Sequence, residues 1–380
     1  MRFSNQGHHS TKRSGCQTAK SGRVHRKVGP GLVTAGLAAR FVAVQPKVEQ
    51  ELADLPGFSG QDPAPDVAAV ASRRAGLTHP VEFQRDLVIR RTLESDQPLL
   101  ADLWRPSSHP PSGIGLIYAH GSGWRVGDKD MLTRPFFRRM AAQGHLILDV
   151  AYSLWPAAGV PAMVTELNQA VLWLKENGPA HGVDPHRIVL MGGSAGAHLV
   201  LLAAYTPGNP AFRSPHMEGD TSVRAVVAFY PPVDLEELQT EVVPGESSSP
   251  GVVDRMAVIM MRRLFAMQDE QGPGKDSFDP ISDMLGGPAA EIPDTYRLLS
   301  PIHHVSPHCP PTLLLQGADD LFGLTPAVRR LRQSLRQAGV PCALLEFPHT
   351  EHAFDLALPQ ISPTARAATR AVEQFLAWLG

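Results

Sequence analysis

Residues 188–196 read Ile-Val-Leu-Met-Gly-Gly-Ser-Ala-Gly, an apolar run followed at once by the pattern Gly-x-Ser-x-Gly. The apolar run predicts a buried strand, and the spacing of apolar residues from Ala195 to Tyr205 predicts a helix directly after it. A sharp strand-to-helix turn lifts a serine hydroxyl out of a sheet, and only small flanking residues let that turn close. A phosphate-binding loop is the structural rival, but the chain lacks its Gly-Lys-Ser/Thr ending. Ser194 is therefore the candidate nucleophile.

On both sides of this turn, from about residue 85 onward, short β-branched runs alternate with longer helical patterns. This alternation predicts an α/β fold, with a mostly parallel sheet and helices on both faces. The predicted buried strands are 114–119, 146–150, 187–191, 223–229, 312–316 and 342–347. The predicted helices are 131–142, 161–177, 195–205, 326–338 and 363–379. An opening hairpin is predicted from residues 86–93 and 99–104.

One interval is far longer than the rest. About eighty residues separate the strand that ends near Tyr230 from the strand that starts at Thr312, more than a crossover requires. Insertions of this kind in α/β sheets lie above the carboxyl ends of the strands, where ligands bind. Residues 235–300 are therefore interpreted as a lid or cap. Its segment 252–267 is predicted to be a helix with apolar residues around most of its circumference, in which Met256 and Met260 either roof an acyl pocket or belong to a core helix or dimer contact.

A second glycine-rich stretch follows the predicted strand 114–119 and reads His120-Gly121-Ser122-Gly123-Trp124. Small residues allow backbone N–H groups to approach a developing oxyanion. Alone, this stretch would fit a plain glycine-rich turn, but its pairing with the serine turn favours an oxyanion loop. It resembles the His-Gly-Gly-Gly-Trp loop of the hormone-sensitive-lipase-like and feruloyl-esterase-like carboxylesterases, with Ser122 in place of the middle glycine.

The resemblance covers roughly residues 85–380 and implies an α/β-hydrolase fold that needs no metal or organic cofactor. It also implies that the oxyanion donors are the N–H groups of Gly121 or Ser122 together with that of Ala195. Trp124, Met256 and Met260 are the predicted substrate-pocket residues. His120 is interpreted as structural, ordering the loop.

In α/β-hydrolases the acid and then the histidine follow the serine along the chain. The predicted strand 312–316 runs into Gly317-Ala318-Asp319-Asp320, where two adjacent aspartates compete. In the family the acid stands three residues after the strand-terminal glycine, which indicates Asp320, with Asp319 as the alternative. For the base, Glu351-His352-Ala353-Phe354 resembles the family's Gly-His-Gly-Phe with both glycines replaced, and His349 is the alternative.

The expected activity is that of a serine carboxylesterase acting on small-molecule esters of short to medium chain length. An amidase or arylformamidase with the same triad is the alternative within this chemistry. A noncatalytic binding protein on a hydrolase scaffold is the alternative from another class, and it is disfavoured because all three catalytic residue types occur in the right order.

Composition limits the partners. The net charge of −2 gives no reason to expect nucleic acid or an anionic membrane, and no run of apolar residues is long enough for a membrane span. Residues 1–48 are basic, with no acidic residue before Glu49, and are predicted to lack packed structure, while residues 49–84 form an extension with a candidate cap helix. A cytoplasmic location is expected; secretion or organelle targeting through the basic segment is the alternative. The sequence does not indicate an oligomeric state.

Overall fold

We describe the fold from a computed structural model, in residues 50–53, 55–56, 58, 80–91, 98–107, 110–215, 217–242, 279–356 and 361–379. Within these residues eight strands form one sheet. They are β1 Val81–Arg91, β2 Pro98–Pro106, β3 Gly115–Ala119, β4 Leu146–Ala151, β5 Ile188–Gly193, β6 Ala225–Phe229, β7 Thr312–Gly317 and β8 Cys342–Phe347. Their order across the sheet is β1-β2-β4-β3-β5-β6-β7-β8. Strand β2 is antiparallel to both neighbours, and β3 to β8 are parallel.

Helices cover both faces of this sheet, as the alternation in the sequence predicts. The described helices of more than one turn are α1 Arg134–Ala141, α2 Val160–Asn177, α3 Ala195–Tyr205, α4 Leu235–Val242, α5 Pro280–Leu285, α6 Pro293–Leu299, α7 Thr325–Gln337 and α8 Pro363–Leu379. Successive side chains of a strand point to opposite faces. Leu190 of β5 accordingly belongs to the core formed with α2, α3 and α7, while Val189 belongs to the core formed with α1 and α8. The predicted α/β-hydrolase fold is confirmed.

Two elements begin three or more residues from their predicted starts. Strand β1 begins at Val81, five residues before the predicted start at Asp86. Most of its side chains are exposed because it lies at the edge of the sheet, so the sequence carries no burial pattern there. Helix α1 begins at Arg134 instead of Met131, since Asp130 and Leu132 have φ angles of 72° and 61°, which a right-handed helix cannot include.

The described ends of the 235–300 insertion meet each other. The Leu235 N–H donates to the Ser300 hydroxyl across 2.9 Å. Further in, the Gln239 amide nitrogen donates to Asp279 and Ser282, each at 2.6 Å, and joins α4 to the start of α5. Residues 243–278, with Met256 and Met260, lie outside the described residues, and the insertion's boundaries stay a prediction.

A short piece of the N-terminal extension packs on the domain. Leu52 and Leu55 are buried in the core shared with α1 and α8. The Trp378 indole N–H donates to the Pro56 carbonyl across 3.2 Å, and Arg332 of α7 pairs with Glu51. Residues 1–49 and 59–79 lie outside the described residues, so the cap helix stays a prediction. Among the residues described, no helix is long and apolar enough to cross a bilayer.

Candidate active site

Ser194 stands on a sharp turn between β5 and α3. Its backbone angles, φ 53° and ψ −121°, lie outside the ordinary regions for L-residues. The turn depends on glycine: a Cβ at Gly192 would lie 2.6 Å from the Gly196 carbonyl carbon, and one at Gly196 would lie 2.0 Å from the Ala119 oxygen. The Ser194 N–H donates to the Phe229 carbonyl at the end of β6, across 2.9 Å. The hydroxyl is therefore presented at the carboxyl ends of the parallel strands.

His352 joins Ser194 to Asp320. The His352 Nε2 atom lies 2.9 Å from Ser194 Oγ, and its Nδ1 atom lies 2.9 Å from Asp320 Oδ2. Asp320 also accepts from the Gln316 amide at 2.9 Å and from the Phe322 N–H at 2.9 Å. A carboxylate facing Nδ1 places the imidazole proton on that nitrogen and leaves Nε2 to accept the serine proton.

The two alternative residues form a separate pair at the surface. His349 Nδ1 lies 3.6 Å from Asp319 Oδ2, and their side chains are 76% and 58% exposed, whereas those of His352 and Asp320 are 9% and 0% exposed. The structure thus brings Ser194, His352 and Asp320 together and leaves the alternatives outside. The catalytic roles of the three stay predictions.

Ser122, Glu351 and Ala353 replace family glycines in this site, and two of the three have positive φ angles. Ala353 has a φ of 55° and Ser122 a φ of 107°, both in the range that favours glycine. The Ser122 hydroxyl donates to the Val126 carbonyl within the same loop. The loops that carry His352 and the predicted oxyanion donors therefore hold strained backbone at non-glycine residues.

The predicted oxyanion loop packs directly on the nucleophile. A Cβ at Gly121 would lie 3.0 Å from the Gly193 oxygen and 3.3 Å from Ser194 Cβ, so this close approach requires glycine. His120 orders the loop: its Nδ1 lies 2.8 Å from the Gly121 carbonyl, and its ring stacks on Tyr152 with 4.5 Å between centroids. Burial lowers the pKa of His120, so the ring is neutral. Gly121 and Ala195 lie beside Ser194, Ser122 follows Gly121 in the loop, and the role of all three as donors stays a prediction.

Trp124 connects this loop to the nucleophile helix. Its indole N–H donates to His198 Nδ1 at 3.1 Å, and His198 Nε2 donates to the Leu299 carbonyl at 2.7 Å. The indole can only donate, which fixes this tautomer. Burial lowers the pKa of His198 to about 4, so it stays neutral. These contacts give Trp124 a structural role, and its predicted place in the substrate pocket is not among the described contacts and stays a prediction.

Tyr230 and Asp355, which lie behind His352, were not predicted from the sequence. Tyr230 directly follows β6, its ring centroid lies 4.4 Å from that of His352, and its hydroxyl donates to Asp355 across 2.5 Å. Only their positions in the sequence could have indicated them. Tyr230 stands at the carboxyl end of a predicted strand, where ligands bind in α/β sheets, and Asp355 follows His352 by three residues.

Comparison with known proteins agrees with this architecture. The family model BD-FAE matches residues 101–254, and that of the dienelactone hydrolase family matches residues 298–380. The chain is 31% identical over 281 residues to the probable carboxylic ester hydrolase LipM of Mycobacterium tuberculosis, covering 73% of this chain and 57% of LipM. To esterase LipQ of the same organism it is 29% identical over 282 residues, covering 73% and 58%. The chain thus spans less than three fifths of the length of these two relatives.

Among solved structures, the propionate-bound esterase Est2 of Thermogutta terrifontis superposes with a TM-score of 0.58 at 19% identity, covering 80% of this chain and 96% of Est2. A likeness at this level of identity shows the fold. The sheet order, the turn at Ser194 and these matches together show an α/β-hydrolase fold, in a chain that is similar to the BD-FAE and dienelactone hydrolase families and to curated esterases.

Proposed function

We propose that the protein is a serine carboxylesterase that hydrolyses short- to medium-chain carboxylic esters through an acyl-enzyme on Ser194. The observation that carries this proposal is the continuous contact from Ser194 Oγ through His352 to Asp320, with 2.9 Å at each step. The esterase names of its relatives LipM and LipQ support it.

The reaction has two acyl-transfer steps. Ser194 Oγ attacks the ester carbonyl while His352 Nε2 accepts its proton, and the N–H groups of Ala195 and of Gly121 or Ser122 stabilise the oxyanion. His352 then gives the proton to the departing alcohol, and a water molecule repeats the attack on the acyl-enzyme. Asp320 holds the imidazole tautomer and stabilises the imidazolium. Apart from the ester and water, the groups named in these steps are side chains and backbone groups of this chain.

Covalent labelling with a fluorophosphonate tests the nucleophile. Ser194→Ala should abolish both labelling and hydrolysis of nitrophenyl esters, while the fold is kept. Ser222→Ala serves as the control, because Ser222 is exposed and lies before β6, at the opposite end of the sheet from Ser194. Labelling that persists in Ser194→Ala would contradict the proposal. Matched esters and amides measured alongside would replace it with an amidase if the amide were hydrolysed faster.

We further propose that the 235–300 insertion covers the acyl pocket. Arg125, just after the oxyanion loop, packs over the Trp155 ring at 3.8 Å and donates to the Pro280 carbonyl at 2.9 Å. The bond from His198 to Leu299 ties the other end of the insertion to the nucleophile helix. Changes in the insertion should therefore be felt where the acyl group binds.

Acyl-chain preference tests this covering role. Replacing Met256 and Met260 together by alanine should change kcat/KM for long esters by about 10-fold and shift the preferred chain length, because flexible thioethers adapt a pocket to its ligand. Met140→Ala is the control, since Met140 is fully buried in α1 and its loss should lower stability alone. An unchanged ranking of acetate, butyrate and octanoate esters would remove the insertion from the substrate site.

A further inference from the structure

We propose that Tyr230 and Asp355 form a positioning pair for His352, which fixes the plane of the imidazole ring and places a second carboxylate close to it. This inference rests on the proposed esterase function and deepens it. The Tyr230 ring packs on the imidazole at a tilt of 55°, with 4.4 Å between centroids, whereas Asp320 contacts the imidazole at Nδ1.

Tyr230 is a rigid support. Its N–H donates to the Leu315 carbonyl of β7 across 2.7 Å, its φ is 40°, and its side chain is buried. The ring packs against His352 on one side and meets Phe354 edge-on, with 5.5 Å between centroids. A phenol ring held in this way limits the rotation of the imidazole about the Cβ–Cγ bond of His352. The Phe322 ring, with 4.6 Å between its centroid and that of His352, limits this rotation further.

The tyrosine hydroxyl reaches under the nucleophile turn. A Cβ at Gly193 would lie 3.0 Å from the Tyr230 hydroxyl and 3.4 Å from that of Tyr118. Because Gly193 has no side chain, the Tyr230 hydroxyl has space to bind Asp355 there. Because Asp355 belongs to the loop that carries His352, this hydrogen bond ties the loop of the general base to the end of β6.

The pair also contributes charge. The titratable groups that face Asp355 are Tyr230, Tyr118 and His352, and Asp320 acts on Tyr230. Burial raises the pKa of Asp355 to about 6, and the hydrogen bond from Tyr230 opposes that rise. Asp355 is thus ionised at neutral pH, where its negative charge favours the imidazolium that forms as Ser194 attacks. Below about pH 6 the carboxylate gains a proton and this support is lost.

The experiment measures kcat and KM on a soluble nitrophenyl ester from about pH 5 to about pH 9. Tyr230→Phe keeps the ring and removes the hydroxyl, and Asp355→Asn keeps the shape and removes the charge. Each should lower kcat about 10-fold at neutral pH and leave KM within about twofold. The double variant should also lose about 10-fold, because both changes remove one contact. Asp355→Asn should further change the acid side of the kcat profile, because protonation of Asp355 contributes there only in the unmodified enzyme.

Tyr205→Phe is the matched control. It removes another buried tyrosine hydroxyl, which lies 2.9 Å from Thr312 at the start of β7, away from the carboxyl ends of the strands. It should lower thermal stability and leave kcat and the pH profile unchanged. The pair has no positioning role if Tyr230→Phe and Asp355→Asn both keep kcat within about twofold, or if the acid side of the kcat profile is the same in Asp355→Asn as in the unmodified enzyme. An unmodified enzyme that neither hydrolyses esters nor reacts with the fluorophosphonate would instead overturn the esterase proposal, and the pair with it.

Discussion

The strained backbone at Ala353 should lower the free energy of unfolding by a measurable amount. This residue directly follows His352 and has a φ of 55°. The left-handed conformation costs a non-glycine residue roughly 1–2 kcal/mol, and glycine adopts it freely. Glycine also costs about 0.5–1 kcal/mol through the greater entropy of the unfolded chain, and loss of the methyl group removes some packing. Ala353→Gly should therefore be neutral, or raise the free energy of unfolding by up to about 1 kcal/mol.

A second alanine isolates the strain. Ala142 is also half-buried, but its φ is −64°, so Ala142→Gly loses entropy and packing with no relief. The free energies of unfolding of the two glycine variants should differ by about 1–2 kcal/mol, because their other losses nearly cancel. Urea unfolding followed by fluorescence and circular dichroism measures both under the same conditions. Equal destabilisation by the two substitutions would refute the claim that the loop after His352 is strained.

Three further outcomes are expected. Asp320→Asn should lower kcat/KM about 10,000-fold by favouring the wrong histidine tautomer, and Asp319→Asn less than about tenfold; the reverse ranking would move the acid. Deleting residues 1–48 should leave kcat/KM within about twofold, whereas Leu52→Ala should lower the free energy of unfolding by about 2–5 kcal/mol. Because burial raises the pKa of Asp355 to about 6, the folded protein keeps a proton that the unfolded chain releases between about pH 4 and pH 6. As the pH rises through that interval, the free energy of unfolding of the unmodified protein should therefore decrease relative to that of Asp355→Asn. The same pH dependence in both proteins would contradict the assignment.

The central strands and the nucleophile turn could be predicted because their determinants are local. Residues 188–196 contain both the apolar run and the small residues that close the turn at Ser194. Strand β1 could be located only in part, since its solvated edge position carries no alternation of buried and exposed residues. The start of α1 was missed because the positive φ angles of Asp130 and Leu132 arise from the loop's tertiary contacts, such as the 2.6 Å bond from the Asp130 N–H to buried Asp149.

In the candidate site, too, some residues could be predicted from motifs and others are brought together only by the fold. Family spacing selected Asp320 and His352, and the structure brings these two together while Asp319 and His349 pair at the surface. Tyr230 and Asp355 stand 125 residues apart and neither belongs to a motif, so their contact exists only once β6 and the histidine loop are side by side. The replacement of both family glycines by Glu351 and Ala353 put the conformation of the histidine loop in doubt, and the sequence could not reveal that Ala353 adopts a φ of 55°.

The hydrogen bond between Leu235 and Ser300 brings the two ends of the insertion together at one place on the domain. A segment that leaves and rejoins a domain at one point can lengthen, shorten or be exchanged without altering the spacing of the strands on either side. Here those strands are β6 and β7, which place Tyr230 and Asp320. An insertion of another length or sequence can therefore join the domain at Leu235 and Ser300 while Tyr230 and Asp320 keep their places, and a chimaera joined at these two residues should exchange the insertion alone.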